Sequence, residues 1–413
     1  MSSTVTENIR LHKLANGLTL VYEPMPWLRS LSMSVLLPVG SINDPVGEEG
    51  SANVLSEWLG RGAGELGSRE FNDRLEGLGV RRGGGAGREA MSVSASMLAQ
   101  ELPNAFPLLA DMLRRPQLSD DQFASSRELA IQELASLDDS PGQKLGEALN
   151  AHFFSSAHGR SPYGTMEGLA GLTPDSVRAD FERRFTPQGT IIAAAGGDEW
   201  ERLVELTEAH FSDWQGEPAA SEPARIGEPG RFHVEEDASQ VQIGIAFPSL
   251  EPTHPDWYKH SIALGVLSSG MGSRLFSEVR EKRGLVYMVF AAARAVRGFG
   301  YVIGRAGTTP EKATETIDVM LAEFNRLREG VSEAELERSK TGSLSQLVMQ
   351  GESSGARASA LTTDMLLRGA PRSLDEAREQ VARLTLGDVN GYLGSLPAPE
   401  PLIVTLGKGE GFQ

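Results

Sequence analysis

The run GMGSRLFSEVREKRGLVYMVF, residues 270–290, opens on a glycine-rich turn and continues as a short helix. Val279 and Leu285 flank the charged group Arg280-Glu281-Lys282-Arg283, and cations at a helix C-terminus suit the negative pole of its dipole. Gly284 breaks the helical pattern, and Leu285-Val286-Tyr287-Met288-Val289-Phe290 begins a strand. Helix–dipole electrostatics accounts for the cations. It gives no reason for an arginine and a tyrosine seven positions apart across the corner. A surface arginine and a strand tyrosine packed in a sheet is the plain structural reading of Arg280 and Tyr287.

Outward from this run, the strings GSRLF and REKRGLVY resemble the C-terminal half of the pitrilysin and mitochondrial-processing-peptidase family, whose members often read R-x-x-x-G-L-x-Y here. The resemblance implies that Arg280 and Tyr287 reach a zinc site built by another domain, where they hold the substrate and the developing oxyanion.

Composition sets the frame. A chain of 413 residues suits two domains, and 23% charged with 40% hydrophobic residues describes an ordinary globular protein. A formal charge of -17 argues against a nucleic-acid partner, which needs a cationic surface. The absence of cysteine excludes disulfides, thiolate nucleophiles and cysteine metal ligands. No basic segment followed by an apolar core opens the chain, and runs such as LSMSVLLPVG are too short to span a bilayer. A soluble, cytoplasmic protein without a membrane role is expected.

In chain order, residues 11–22 read as a hairpin around Asn16-Gly17, and 30–39 as a sheet strand. Helices are expected at 51–59 and 68–78, the second with Ser68 as N-cap. Residues 79–88 read as a glycine-rich turn leading to a strand at 90–97. Helices at 102–114, 119–138, 145–154, from Thr173-Pro174, and at 199–211 surround a strand at 190–195. Residues 213–230, rich in Pro, Gly, Ala and Glu, read as a linker. The second half repeats the order: a strand at 241–247, a helix from Asp256 to Leu267, a helix at 275–282 in the place of 68–78, and a strand at 286–293 in the place of 90–97. Helices at 310–328, 333–351, 374–381 and 385–393 and a strand at 402–406 complete the chain.

Two halves in one element order, offset by about 210 residues, indicate an internal duplication. The expected class is α+β: two tandem homologous domains, 1–212 and 231–413, joined by 213–230. Each is expected to be a mainly antiparallel sheet packed against helices. The resemblance covers essentially the whole chain and implies that the two form half of a clam-shell peptidase.

Active members of the family carry H-x-x-E-H after a glycine-serine/threonine-alanine lead, with both histidines on one helical face binding zinc and the glutamate activating water. The lead Gly50-Ser51-Ala52 is present, but Asn53, Ser56 and Glu57 stand at the histidine, glutamate and histidine positions. Glu133 matches the third ligand and Glu128 an accompanying acid. Asparagine is a poor zinc ligand, and serine is no general base at neutral pH without an activating partner. Glu57 with Glu133 makes at best a weak site for a hard cation. None of the seven histidines has a second one three or four positions away, and no G-x-S-x-G elbow is present. No metal or other cofactor is expected in this chain.

Gly83, Gly84, Gly85 and Ala86 fall where the family has the turn and edge strand to which an extended peptide adds. These glycines equally suit a tight turn alone. The resemblance implies a zinc-free subunit of a heterodimer that binds peptide and supplies Arg280 and Tyr287 to the zinc of a homologous partner bearing an intact H-x-x-E-H. Two other readings follow from the same residues: a structural or peptide-binding subunit without catalytic contribution, and a hydrolase using another metal or nucleophile.

Overall fold

The structure, a computed structural model, describes residues 8–218 and 220–409. The described residues open with β1 (Arg10–Lys13), β2 (Thr19–Pro24) and β3 (Ser30–Leu37), then α1 (Ser51–Leu59). A two-stranded excursion, β4 (Gly62–Ala63) and β5 (Leu66–Gly67), precedes α2 (Ser68–Gly77), β6 (Arg81–Ala86) and β7 (Met91–Leu98). Next come α3 (Leu102–Arg114), α4 (Asp120–Ala135), α5 (Pro141–Phe153), α6 (Met166–Gly171), α7 (Pro174–Arg184), β8 (Ile191–Gly196) and α8 (Trp200–Phe211). The second half carries β9 (Gly230–Glu235), β10 (Val241–Ser249), α9 (Trp257–Ser268), a π-helical turn (Phe276–Glu281), β11 (Met288–Val296) and β12 (Phe299–Thr308). It ends with α10 (Ala313–Leu327), α11 (Glu333–Gly351), α12 (Ser354–Arg368), α13 (Leu374–Arg383), α14 (Leu386–Ser395) and β13 (Leu402–Gly407). No helix among the described residues is long and apolar enough to cross a membrane.

The class is α+β, with two mostly antiparallel sheets. The first runs β1-β2-β8-β3-β7-β6 and the second β11-β12-β10-β13-β9. In both, one parallel pair (β2 with β8, β9 with β13) sits among antiparallel neighbours. Strand for strand, β2, β3, β6, β7 and β8 correspond to β9, β10, β11, β12 and β13. The duplication is therefore present in the pairing itself.

This correspondence corrects the sequence alignment of the halves. Strand 286–293 takes the place of the edge strand β6, not of β7, whose counterpart β12 was not foreseen. β12 reads FGYVIGRAGT, where three glycines interrupt the strand signal. Other boundaries also shift. Gly67, not Ser68, caps α2, and Pro141 opens α5 at the first turn, where its missing N–H costs nothing.

Packing divides the chain into two units that do not follow the order of the sequence. Unit 1 holds the described residues of 1–136, 160–222 and 350–373; unit 2 holds 137–159, 223–349 and those of 374–413. α12, absent from the sequence reading, thus belongs to unit 1, and α5 to unit 2.

In unit 1, Leu20, Leu31, Met33 and Val35 face a large apolar core with α1 and α3. The opposite sheet face is covered by α12: Leu361 packs with Val21 and Ala193, and Ala358 with Met25 and Ala195. Ser34 Oγ lies 3.1 Å from Thr362 Oγ1, and Arg357 donates from Nε and Nη2 to Glu23 at 2.8 and 2.6 Å. In unit 2, Val241, Ile243 and Ile245 face α9 and α10, while Leu145, Leu149 and Phe153 of α5 cover Ala246, Ile303 and Val404 on the other side.

Candidate functional site

The N-terminus of α1 is fixed by a buried polar network. Asp44 accepts from the backbone N–H of Gly50 (2.8 Å) and Ala52 (3.1 Å), satisfying donors that a helix start leaves free. Burial pushes the Asp44 carboxyl up, and the guanidinium of Arg184 at 3.1 Å opposes that shift. Arg184 also pairs with Asp180, which accepts from Ser51 Oγ at 2.5 Å. Gly50 has φ +110, and a Cβ there meets Leu169 Cδ2 at 2.5 Å. The retained Gly50-Ser51-Ala52 lead is thus a device for aiming α1.

α1 packs against α4, which brings Asn53 and Glu133 together: Asn53 Nδ2 donates to Glu133 Oε2 at 3.0 Å. Glu128, one face further round α4, is exposed and accepts from Gln132 at 3.3 Å. Ser56 and Glu57 line a cleft of about 580 Å³ whose other wall is Gly83, Gly84 and Gly85. Among the described residues no three His, Cys, Asp or Glu side chains come together as a metal-binding group. The donor set does not suit zinc. A carboxamide points its N–H at the carboxylate in the ligand position, and with Glu57 at the other histidine position no imidazole is left in the set.

Arg82 was not singled out from sequence, yet it furnishes this cleft. It donates to Gly60 O (3.1 Å) and Asn72 Oδ1 (2.8 Å) and lies 5.8 Å above the Phe71 ring. Burial lowers its pKa, and the nearby Glu57 carboxylate raises it. A fixed guanidinium therefore supplies positive charge beside Glu57. Its only sequence signal is a cation immediately before the glycine run.

The glycine run forms a strand and not a turn. Among the described residues β6 is the outermost strand of its sheet and pairs only with β7, and Arg81–Gly84 are exposed. Gly84 has φ +142, and a Cβ there meets Ser92 O at 2.1 Å, whereas Gly85 faces open space. Gly84 is demanded by the backbone; Gly83, Gly85 and Ala86 continue the edge beside it.

Arg280 and Tyr287 are brought together within unit 2. The helix expected at 275–282 is a π-helical turn, in which Lys282 N–H reaches back five residues to Ser277 O at 3.0 Å. Arg280 lies between two rings, 4.8 Å from the Phe276 centroid and 5.0 Å from that of Tyr287. Lys282 and Arg283 instead engage Glu278 at 2.7 and 2.9 Å, holding its carboxyl below the usual range. Tyr287 is 81% exposed, whereas Arg280 beside it is half-buried.

The surroundings hold this corner in place. Arg274 donates from Nε and Nη2 to Glu335 at 2.7 and 3.0 Å, and its guanidinium keeps the Glu335 pKa near 2. Thr308 Oγ1 bonds Leu285 O at 2.6 Å and Lys312 Nζ bonds Gly284 O at 2.9 Å, which pins the connection into β11.

Residues 21–165 match the family model described as insulinase (peptidase family M16), and 171–343 match that described as peptidase M16 inactive domain. The chain belongs to peptidase family M16. An uncharacterized zinc protease of Mycobacterium tuberculosis is 29% identical over 91% of this chain and 88% of its own length. The uncharacterized zinc protease YmxG of Bacillus subtilis is 26% identical over 94% of this chain and 95% of its own. Among solved structures, a peptidase M16 inactive domain from Pseudomonas fluorescens superposes with a TM-score of 0.88 at 21% identity, over 98% of this M16 chain and 99% of that one. A protease from Helicobacter pylori gives 0.84 at 20% identity, over 96% and 99%. These structures share the fold. The names of the relatives mention zinc, whereas the motif positions here hold Asn53, Ser56 and Glu57.

Proposed function

We propose that this chain is the zinc-free subunit of a heterodimeric M16 metallopeptidase. It binds peptide along β6 and lends Arg280 and Tyr287 to the zinc site of a homologous partner carrying H-x-x-E-H. The observation that carries this reading is the contrast between the two half-sites. Asn53 and Glu133 are bonded to each other in an arrangement without an imidazole, whereas Arg280 is half-buried between two rings, Tyr287 is 81% exposed, and the corner that carries them is pinned through Leu285 O and Gly284 O. An arginine that serves only surface charge has no need of such a mounting.

The chemistry divides accordingly. Zinc bound in the partner would supply the Lewis acid and the activated water. From this chain, the Tyr287 hydroxyl donates to the tetrahedral oxyanion and the Arg280 guanidinium holds a substrate carbonyl or carboxylate. The open N–H and C=O groups of β6 accept an extended peptide without demanding its sequence.

The test is reconstitution. The isolated chain is expected to hydrolyse no peptide, and addition of an M16 partner bearing H-x-x-E-H is expected to produce turnover. Peptidase activity of the isolated, metal-free chain contradicts the proposal and favours a separate hydrolase. A complex that forms but turns over as fast with Arg280→Ala as without it favours a purely structural subunit.

A further inference from the structure

Unit 2 encloses a second concavity, lined by neither Arg280 nor Tyr287. Its volume is about 570 Å³, within the range of small-molecule sites, roughly 300–1,000 Å³. Phe247 from β10, Ala263 and Leu264 from α9, Phe324 and Leu327 from α10 and Leu393 from α14 make its wall apolar.

One polar feature enters this wall. Ser249 Oγ lies 3.0 Å from His260 Nε2, and His260 Nδ1 lies 3.0 Å from the Tyr392 hydroxyl. His260 and Tyr392 are 6% and 7% exposed, and all three residues line the cavity. Burial, with the charge of His254 adding to it, lowers the His260 pKa to about 4, and burial raises that of Tyr392. At neutral pH the chain is therefore Ser–imidazole–Tyr with no charge.

A neutral imidazole donates from one nitrogen and accepts at the other. If Tyr392 donates to Nδ1, then Nε2–H donates to Ser249 and the serine proton is left over. If Ser249 donates to Nε2, then Nδ1–H donates to Tyr392 and the tyrosine proton is left over. In either direction one hydroxyl proton and hydroxyl lone pairs remain, and among the described residues neither hydroxyl has a further partner. Spare hydrogen-bonding capacity in a mostly apolar wall offers one directed bond to a polar atom of an occupant.

The rim narrows the class of occupant. Pro229, Pro248, Pro397 and Pro399 surround the cavity and carry no N–H, so an extended peptide finds no ladder of donors there. The exposed carboxylates of Glu228 and Glu400 repel an anion. Arg328 also lines the cavity; its Nε donates to Leu396 O at 3.0 Å, and the two rim carboxylates outnumber its single positive charge. A cationic head drawn to the rim meets no counter-charge among the interior side chains.

We infer that this cavity binds an uncharged, mainly apolar small molecule carrying a hydroxyl or carbonyl group, its polar atom on the Ser249–His260–Tyr392 chain and its body between α9, α10 and α14.

The test uses the purified full chain with Nile red as reporter, displaced at neutral pH by a series of equal length: 1-decanol, decanoate and decylammonium. Nile red binding is expected to saturate, and decanol to displace it at concentrations about tenfold below either charged homologue, since a desolvated charge is penalised. Tyr392→Phe removes one end of the hydrogen-bonded chain without changing the cavity's shape, and is expected to weaken decanol about fivefold. Ala263→Phe fills the cavity and is expected to abolish displacement. Leu396→Trp narrows the mouth at a half-buried position, and keeps the question answerable should Ala263→Phe fail to fold. The inference is overturned by non-saturable Nile red binding, by equal competition from the charged homologues, or by undiminished decanol binding in a folded Leu396→Trp or Tyr392→Phe protein.

Discussion

At the scale of single residues, the loss of zinc chemistry is a change in what Glu133 meets. Zinc at this place needs two imidazoles one helical turn apart, facing a carboxylate. Here the first of those positions is an amide that satisfies Glu133 by donating to it at 3.0 Å. Restoring the donors is the direct check. The triple variant Asn53→His, Ser56→Glu, Glu57→His is expected to take up one zinc per chain, read by metal analysis after gel filtration, while the native chain takes up none. These positions were legible in the sequence because the Gly50-Ser51-Ala52 lead sets the register of the family motif that the chain resembles; helical spacing alone does not single them out. Arg82 was not, because an arginine before a glycine run has no periodicity. Its contact with Asn72 depends on where α2 ends relative to β6.

At the scale of elements, the miss of α12 has a physical cause. Its sequence, SGARASALTTDMLLR, is dominated by small and polar residues, so an apolar stripe barely shows. Those residues are what a close approach to the sheet requires. β3 misleads in the same way: Ser32 and Ser34 alternate with Leu31, Met33 and Val35 and imply a solvated face. They are instead 4% and 7% exposed, bonded to Ser354 and Thr362 of α12. The anchor of this helix is Arg357, 2% exposed on Glu23. Removing one partner of such a buried pair strands the other, so Arg357→Ala is expected to cost about 3–5 kcal/mol in denaturant unfolding.

The π-helical turn carries a pH signature through its anchor. The Glu335 pKa lies near 2 in the folded chain against 4.5 for the free carboxylate. Its contribution to stability is thus complete above pH 4.5 and lost as the pH falls toward about 2. Glu335→Gln is expected to be less stable than the native chain at neutral pH, and the two are expected to converge below pH 3, roughly, in acid titrations followed by tryptophan fluorescence.

At the scale of the whole molecule, the duplication was legible as a repeated order of elements, because each half keeps its own strand and helix signals. The exchange of α5 and α12 was not. It is a property of which sheet face each helix covers, and local pattern contains no information on that. It has a consequence for folding. Residues 1–222 contain every strand of the first sheet but leave Val21, Ala193, Ser32 and Ser34 uncovered. Produced alone, this fragment is expected to aggregate. Supplying residues 350–373 as a separate peptide is expected to restore a cooperative unfolding transition, measured by circular dichroism.

The proposed division of labour between chains is tested most directly by turnover of the assembled complex with Tyr287→Phe in this subunit. That change deletes one hydroxyl from an exposed ring and leaves the Arg280 stack in place. Loss of an oxyanion donor lowers kcat by about 100- to 1,000-fold, with KM little changed and assembly intact by gel filtration. An assembled complex whose kcat is unaffected by Tyr287→Phe contradicts the account.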